Sequence, residues 1–288
     1  MKINRLFQSD KPLISLEVYT TDKLEKEGRI YKTLTDLAEI HPDFISITCG
    51  TYDINPDDMI CRVSSYIKNK LMIEPLAHMT CITSSKNEVL IHLNELEQNG
   101  IENILALKGD IHTDIPIKKD FAHASDLAQI LGKYSKVNIA GVCYPECHFE
   151  ATSLDEDIKN LGYKLDSGIN HLISQVFFDN IKFYRFIDKM HQMGYYVPVE
   201  AEIVPITSIN LIERIIVLTG ASLPTEFTHL MYKYRWDEKS FEKACIEYAV
   251  NQCLDLIHHG IDGIHLLTMN NVDATKQVYE GVRAELHR

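Results

Sequence analysis

Short apolar runs separated by longer stretches of helical period repeat almost from one end of the chain to the other. The runs at 13–19, 44–49, 75–82, 103–107, 137–143, 171–177, 197–204 and 262–268 have strand length, and their nearly continuous apolar character suits strands buried on both faces. Helical patterns occupy 26–40, 57–70, 86–99, 122–134, 155–168, 180–194, 208–220 and 238–259, with a last one at 272–286. Asn99-Gly100 closes one of them, as a left-handed Gly commonly does. Eight strands, each followed by a helix, predict an α/β fold, a single (β/α)8 TIM barrel. Alternation alone does not show closure, so a doubly wound open sheet is the alternative. No Pro/Gly/Ser-rich linker or shift in composition divides the chain, which predicts one domain over 1–288. The longest irregularity, 222–236, predicts an extra helical segment at the rim between strands seven and eight, where added length serves binding or fills space.

Barrel enzymes carry their chemistry at the carboxyl ends of the strands. Polar residues gather there in this pattern: Glu17 in Ser15-Leu16-Glu17-Val18-Tyr19, Thr48 in Thr48-Cys49-Gly50-Thr51, His78 on strand three, Lys108-Gly109-Asp110 after strand four, Tyr144 to Ala151 after strand five, and Gln175 on strand six. Each has a plain structural explanation. Glu17 can be tied to a buried cation, His78 can be a satisfied core histidine, Gln175 can bond backbone, and Glu146 and Glu150 can face water. Their joint placement at one end favours a site.

Composition narrows the classes. The formal charge of −12 argues against nucleic acid and against an anionic membrane surface as partners, because both call for basic surface. No apolar run approaches membrane-span length and the first residues lack a signal-peptide core, so the expected compartment is the cytoplasm. Seven widely spread cysteines fit reduced thiols better than a disulfide framework. Cys143, Cys147 and His148 lie close together, but there is no CxxC pair and no second ligand cluster, so no metal site is expected. The dinucleotide fingerprint, the phosphate loop, the nucleophile elbow and the zinc helix are all absent.

The motifs Ala77-His78-Met79-Thr80-Cys81, Asn99-Gly100-Ile101 through Ala106-Leu107-Lys108-Gly109-Asp110, Tyr144-Pro145-Glu146-x-His148-x-Glu150-Ala151 and Gln175-x-Phe177-Phe178-Asp179 resemble the methylenetetrahydrofolate reductase family in its short bacterial form. The resemblance implies a flavoprotein barrel in which NADH or NADPH reduces FAD, and FAD then reduces methylenetetrahydrofolate to methyltetrahydrofolate. It places FAD against Thr48, His78, Leu107, Lys108, Gly109, Asp110, Ala122, Tyr144, His148, Asp157, Asn160 and Lys164. It places the folate against Glu17, Asp110 and Gln175, and implies a homo-oligomer. Glu17 is then the general acid, kept protonated by an apolar setting, and Asp110 the carboxylate that stabilises the cation formed as the folate ring opens. Gln175 offers a donor and an acceptor to the pterin amide edge.

The chain also departs from the family pattern. Thr20-Thr21 replaces a double proline, Cys49 and Thr51 replace an aromatic and an alanine, and Phe121 replaces a tyrosine. Tyr163 stands for a basic residue, Lys108 for an arginine, and Asn271 for another arginine. Pro205-Ile206-Thr207-Ser208 lacks the usual Pro-Gly-Ile-x-Pro and the Phe that follows it. Two alternatives therefore stand beside the reductase: a folate reductase with another electron donor, and a non-catalytic flavin-binding partner subunit.

Overall fold

The computed structural model describes residues 1–9, 11–26, 28–49, 56–111 and 115–286; Gly50 and Thr51 of the strand-two motif lie outside them. Strands β1 (Leu13–Thr20), β2 (Phe44–Cys49), β3 (Glu74–Thr80), β4 (Asn103–Leu107), β5 (Asn138–Cys143), β6 (His171–Ser174), β7 (Val199–Ile203) and β8 (Gly263–Leu267) each pair in parallel with the next. β8 closes on β1, with Leu13 opposite Gly263 and Ser15 opposite His265. Closure decides for the barrel over the open sheet.

Helices α1 (Asp22–Lys26), α2 (Arg29–Ala38), α3 (Pro56–Tyr66), α4 (Lys86–Gln98), α5 (Ala124–Tyr134), α6 (Leu154–Asp166) and α7 (Asn180–Gln192) surround the first strands. The circuit ends with α8 (Ile209–Thr219), α9 (Thr225–Tyr234), α10 (Glu238–His258) and α11 (Val272–Leu286). α4 starts on a capping box in which Ser85 and Glu88 satisfy each other's backbone N–H groups, a device worth about 1 kcal/mol.

The period of two along each strand sorts its side chains. Outward-facing Ile14, Leu16 and Val18 of β1, Ile45 and Ile47 of β2, and Ile264 and Leu266 of β8 join helix residues such as Leu34, Leu127 and Val278 in the main core. Inward, the lumen divides. Phe44, Leu76, Leu105, Ala140 and Ile173 fill its floor together with Ile3 of an N-terminal 3-10 segment, Ile3–Gln8, whose Ile3 N–H is accepted by Asn103 Oδ1 at 2.8 Å. The side formed by β1, β7 and β8 is polar instead.

Several boundaries differ from the sequence pattern for local reasons. The helix expected over 26–40 starts only at Arg29, as α2, because Gly28 with φ of 68° precedes it as a left-handed cap; the short α1 ends where that span begins. The pattern at 57–70 leaves α-helix at Tyr66 and passes into a π-helical turn, Ile67–Leu71. Strand six stops at Ser174, so Gln175 stands just beyond it, with its N–H donating to the carbonyl of Cys143 at 2.7 Å. The N-terminal plug has no counterpart in the expected elements, because six residues carry too little periodicity to read.

The extra segment at the rim is helical, as expected, and is α9. It builds its own small core, in which Phe227 packs on Phe178 at 5.2 Å and on Tyr248 at 4.9 Å between ring centroids. Glu146, after β5, ties it down: the carboxylate accepts the N–H of Ser222 at 3.1 Å and its hydroxyl at 2.7 Å, and pairs with Lys182 of α7. Cys61, Cys81, Cys143, Cys147, Cys245 and Cys253 are free thiols, and all but Cys147 are buried. Among the described residues no helix is long and apolar enough to cross a membrane.

Candidate active site

Glu17 projects from β1 into the lumen near the mouth, with its side chain 14% exposed and so reachable from outside. Its Oε2 accepts the Ser46 hydroxyl at 3.4 Å and lies 3.5 Å from His265 Nε2 and 3.7 Å from His78 Nε2. Across the lumen, Glu202 of β7 accepts a long hydrogen bond, 3.5 Å, from Gln175 Nε2. The polar atoms of Glu17, Glu202 and His265 come within 4.8 Å of one another. A cation can bridge such a spacing, but both nitrogens of His265 are engaged, Nδ1 with Ser15 and Nε2 with Ser46 and Glu17. We read the group as one that shares protons.

These surroundings correct one expectation. The setting of Glu17 is polar. Burial pushes its carboxyl up, but His78, His265 and Ser46 outweigh burial and hold it below the ordinary carboxylate range. Glu202 goes the other way: burial raises it well above the ordinary value, and the neighbouring Glu17 charge adds to the rise. Burial likewise lowers His78, against the opposing pull of Glu17. The structure thus drives two facing carboxyls apart, the usual preparation for acid–base work.

The second part of the site lies between the ends of β4 and β5 and helix α6. A cavity of about 410 Å³ opens there, within the range of small-molecule sites, lined by Leu107, Lys108, Tyr144, His148, Asp157, Asn160 and Lys164. Ser153 caps α6 by accepting the N–H of Glu156, and Asp157 in its first turn accepts the N–H of His148 at 2.9 Å. Lys164 donates to the carbonyl of Val142 at 3.1 Å and lies 5.6 Å from the Tyr144 ring centroid. Burial lowers its pKa and raises that of Tyr144. Lys108 pairs with Glu150 at 2.8 Å.

Seven of the residues expected at the cofactor therefore share one cavity wall. Thr48 and His78 stand at the mouth on β2 and β3, and Ala122 is exposed just before α5. Gly109 has φ 87°, and a Cβ there would meet Thr80 at 3.0 Å, so only Gly lets the backbone pass so close. Glu17 and Gln175 are brought into one group through Glu202. Asp110 is exposed on the lip near Tyr144, outside that hydrogen-bonded group. Phe121 is buried, and Tyr163 lines the cavity.

Sequence reading missed Glu202, His265, Ser46, His123 and Ser125. The first carried a usable signal, since Val199-Glu200-Ala201-Glu202-Ile203 alternates carboxylates within an apolar strand, much as Glu17 interrupts β1. A larger groove of about 700 Å³ lies at the far end of the barrel, beside Tyr184, His191, Tyr196 and His259. It holds none of the groups gathered at the strands' carboxyl ends, and we assign the site to the mouth.

Comparison with known proteins gives a consistent picture. The model of the family "Methylenetetrahydrofolate reductase" matches residues 2–283. The 5,10-methylenetetrahydrofolate reductase of Pectobacterium carotovorum subsp. carotovorum is 26% identical over 277 residues, covering 96% of this chain and 92% of its own length. That of Escherichia coli (strain K12) is 26% identical over 275 residues, covering 95% and 92%. Among solved structures, an uncharacterized protein from Clostridium thermocellum that binds two copies of 5-methyl-5,6,7,8-tetrahydrofolic acid shares the fold, with a TM-score of 0.65 at 13% identity over 98% of both chains.

Proposed function

Because the chain belongs to the methylenetetrahydrofolate reductase family, we propose that it reduces 5,10-methylenetetrahydrofolate to 5-methyltetrahydrofolate, using FAD and a reduced nicotinamide dinucleotide, NADH or NADPH. The observation that carries this reading is the lumen group of Glu17, His78, His265 and Glu202, set at the barrel mouth where Lys108, Gly109 and Asp110 lead to the cavity beside α6.

The residues present fit the flavin. Neither ring nitrogen of His78, whose side chain is 9% exposed, is hydrogen-bonded, so it has a donor and an acceptor to offer a ligand. Gly109 keeps the strand end free of side chain, while Lys164 and His148 supply polar contacts to the cavity. Thr48, Leu107, Lys108, Asp110, Ala122, Tyr144, Asp157 and Asn160 complete the proposed contact set. Bound FAD would supply hydride transfer from the nicotinamide to the folate.

The chain's own residues handle the proton. Opening the five-membered ring requires a proton on the nitrogen that leaves the methylene carbon; Glu17, held below the ordinary carboxylate range, takes that proton from the lumen group and passes it on. Asp110 offsets the positive charge that forms on the folate. Gln175, held toward Glu202, presents its amide to the pterin edge.

Absorbance of the freshly purified protein, followed by anaerobic addition of methyltetrahydrofolate, tests this function. A yellow protein bleached by that addition supports it. A yellow protein that stays oxidised supports a flavin-binding partner without the reaction, and one that stays colourless after added FAD overturns the cofactor.

A further inference from the structure

Behind Glu17 another carboxyl is walled into the barrel. Glu200 projects from β7 into the lumen and is wholly buried. Its Oε1 lies 2.7 Å from Ser15 Oγ, which in turn lies 2.6 Å from Nδ1 of His265. The other nitrogen of that ring, Nε2, is 3.5 Å from Glu17 Oε2 and 3.2 Å from Ser46 Oγ, which reaches the same carboxylate oxygen at 3.4 Å. Ser15, Ser46 and His265 are as fully buried as Glu200, so the path is closed to solvent along its length.

Two details show that the place is built for this side chain. β8 carries Gly263 opposite Glu200, and a Cβ there would come 2.9 Å from Glu200 Cγ. Glu200 Oε2 has no hydrogen-bond partner. An anion with an unsatisfied oxygen is costly in such a place, whereas a neutral acid is not. The titratable groups acting on it are His265 on β8, Asp262 just before β8 and Asp43 just before β2.

We propose that Glu200, Ser15 and His265 form a buried proton relay serving Glu17, with Glu200 as its store. The proton of Glu200 moves to Ser15 Oγ as the Ser15 proton moves to His265 Nδ1. The Nε2 proton passes to Glu17, directly or through Ser46. One proton is transferred, Glu200 becomes a carboxylate that accepts from Ser15, and the imidazole ends neutral as its other tautomer. The store reloads by the reverse path when the mouth is open.

The relay rests on the reading that Glu17 protonates the folate, and it answers a need that reading creates. Each turnover consumes a proton while the bound folate covers the mouth. Burial lifts Glu200 to about 7, so it both fills and empties near neutral pH. Glu202, raised well above the ordinary range, gives up its proton less readily. His78 and Glu202 face Glu17 from β3 and β7, and Glu202 lies within 4.8 Å of His265 without a hydrogen bond to it.

The test is Glu200→Gln, which keeps size and hydrogen bonding but has no acidic proton, beside Ser15→Ala, which cuts the path and leaves Glu200 in place. In stopped-flow reoxidation of the reduced enzyme by methylenetetrahydrofolate, both variants should be about tenfold slower and lose the break near pH 7, with reduction by the nicotinamide unchanged. Infrared spectra without substrate give an independent reading. The wild type should show a protonated-carboxyl band that titrates near pH 7 and is missing from Glu200→Gln. Unchanged pH profiles in both variants, or no such band in the wild type, overturn the relay. Full folate reduction by Glu17→Gln would overturn the underlying function instead.

Discussion

The two parts of the site are built on opposite principles. The cavity beside α6 is rimmed by an ion pair that keeps contact with water, Lys108 and Glu150, 27% and 47% exposed. Exposed pairs of this kind hold about 0–1 kcal/mol each, and one can be exchanged for another with little loss. In the lumen His265 and Glu200 are completely buried, and single atoms serve more than one partner. Removing one member there strands another in a low-dielectric interior. Two of the departures from the family pattern fall on the cavity wall. Tyr163 and Lys108 alter the cavity, while the carboxylates, imidazoles and hydroxyls of the lumen interlock.

The comparison can be broken most directly at Glu17. Glu17→Gln should cost about 10²- to 10⁴-fold in the folate half-reaction while leaving flavin bound, as read by single-turnover kinetics and the absorbance spectrum. Loss of flavin together with the rate would make Glu17 a structural member of the cofactor site and dissolve the distinction between the two regions.

A smaller effect sharpens the same contrast through stability. Glu200 is raised from 4.5 to about 7 in the fold, so the native state holds its proton more tightly than the unfolded chain does. That contribution is fully present below the unfolded value and is lost as pH rises to about 7. Glu200→Gln, which does not ionise, should therefore gain on the wild type across that window by up to about 3 kcal/mol. Urea unfolding at pH 5 and pH 8 measures it, and a difference independent of pH would show that Glu200 does not titrate as described.

The smallest effect belongs to the cavity. Lys164→Met should weaken FAD binding about ten- to a hundredfold through one lost charged contact, with the fold intact, because burial already disfavours that ammonium. Flavin fluorescence titration reads it directly. An unchanged Kd would remove Lys164 from the cofactor site.

How much of this was legible in the sequence depended on locality. The strands announce themselves because each is a short apolar run, and the α6 cavity because its residues sit in two consecutive motifs, Lys108 to Asp110 and Tyr144 to Lys164. Glu17 stood out as a carboxylate in an apolar strand, yet its protonation was misjudged, because what surrounds it arrives from β2, β3 and β8, far away in the chain. Glu200 and Glu202 repeat the same signal on β7, but an acid on a strand reveals neither which face it takes nor what it meets. Ser15 and His265 are 250 residues apart and become partners only because β8 closes on β1. Helix ends set by one residue, such as Gly28, and the N-terminal plug under the lumen were equally beyond periodicity.

Gly263 has a consequence for how this barrel can change over time. With no side chain of its own it leaves the volume that Glu200 occupies, so the two positions form one steric unit drawn from neighbouring strands. A methyl group arriving at 263 while Glu200 is present comes 2.9 Å from its Cγ, whereas the same change after 200 has shortened meets only Leu13 Cβ, at 3.2 Å. The order of substitution therefore matters, and the two effects are not additive. The lineage is free to lose this acid and then fill the gap, but not to fill the gap first.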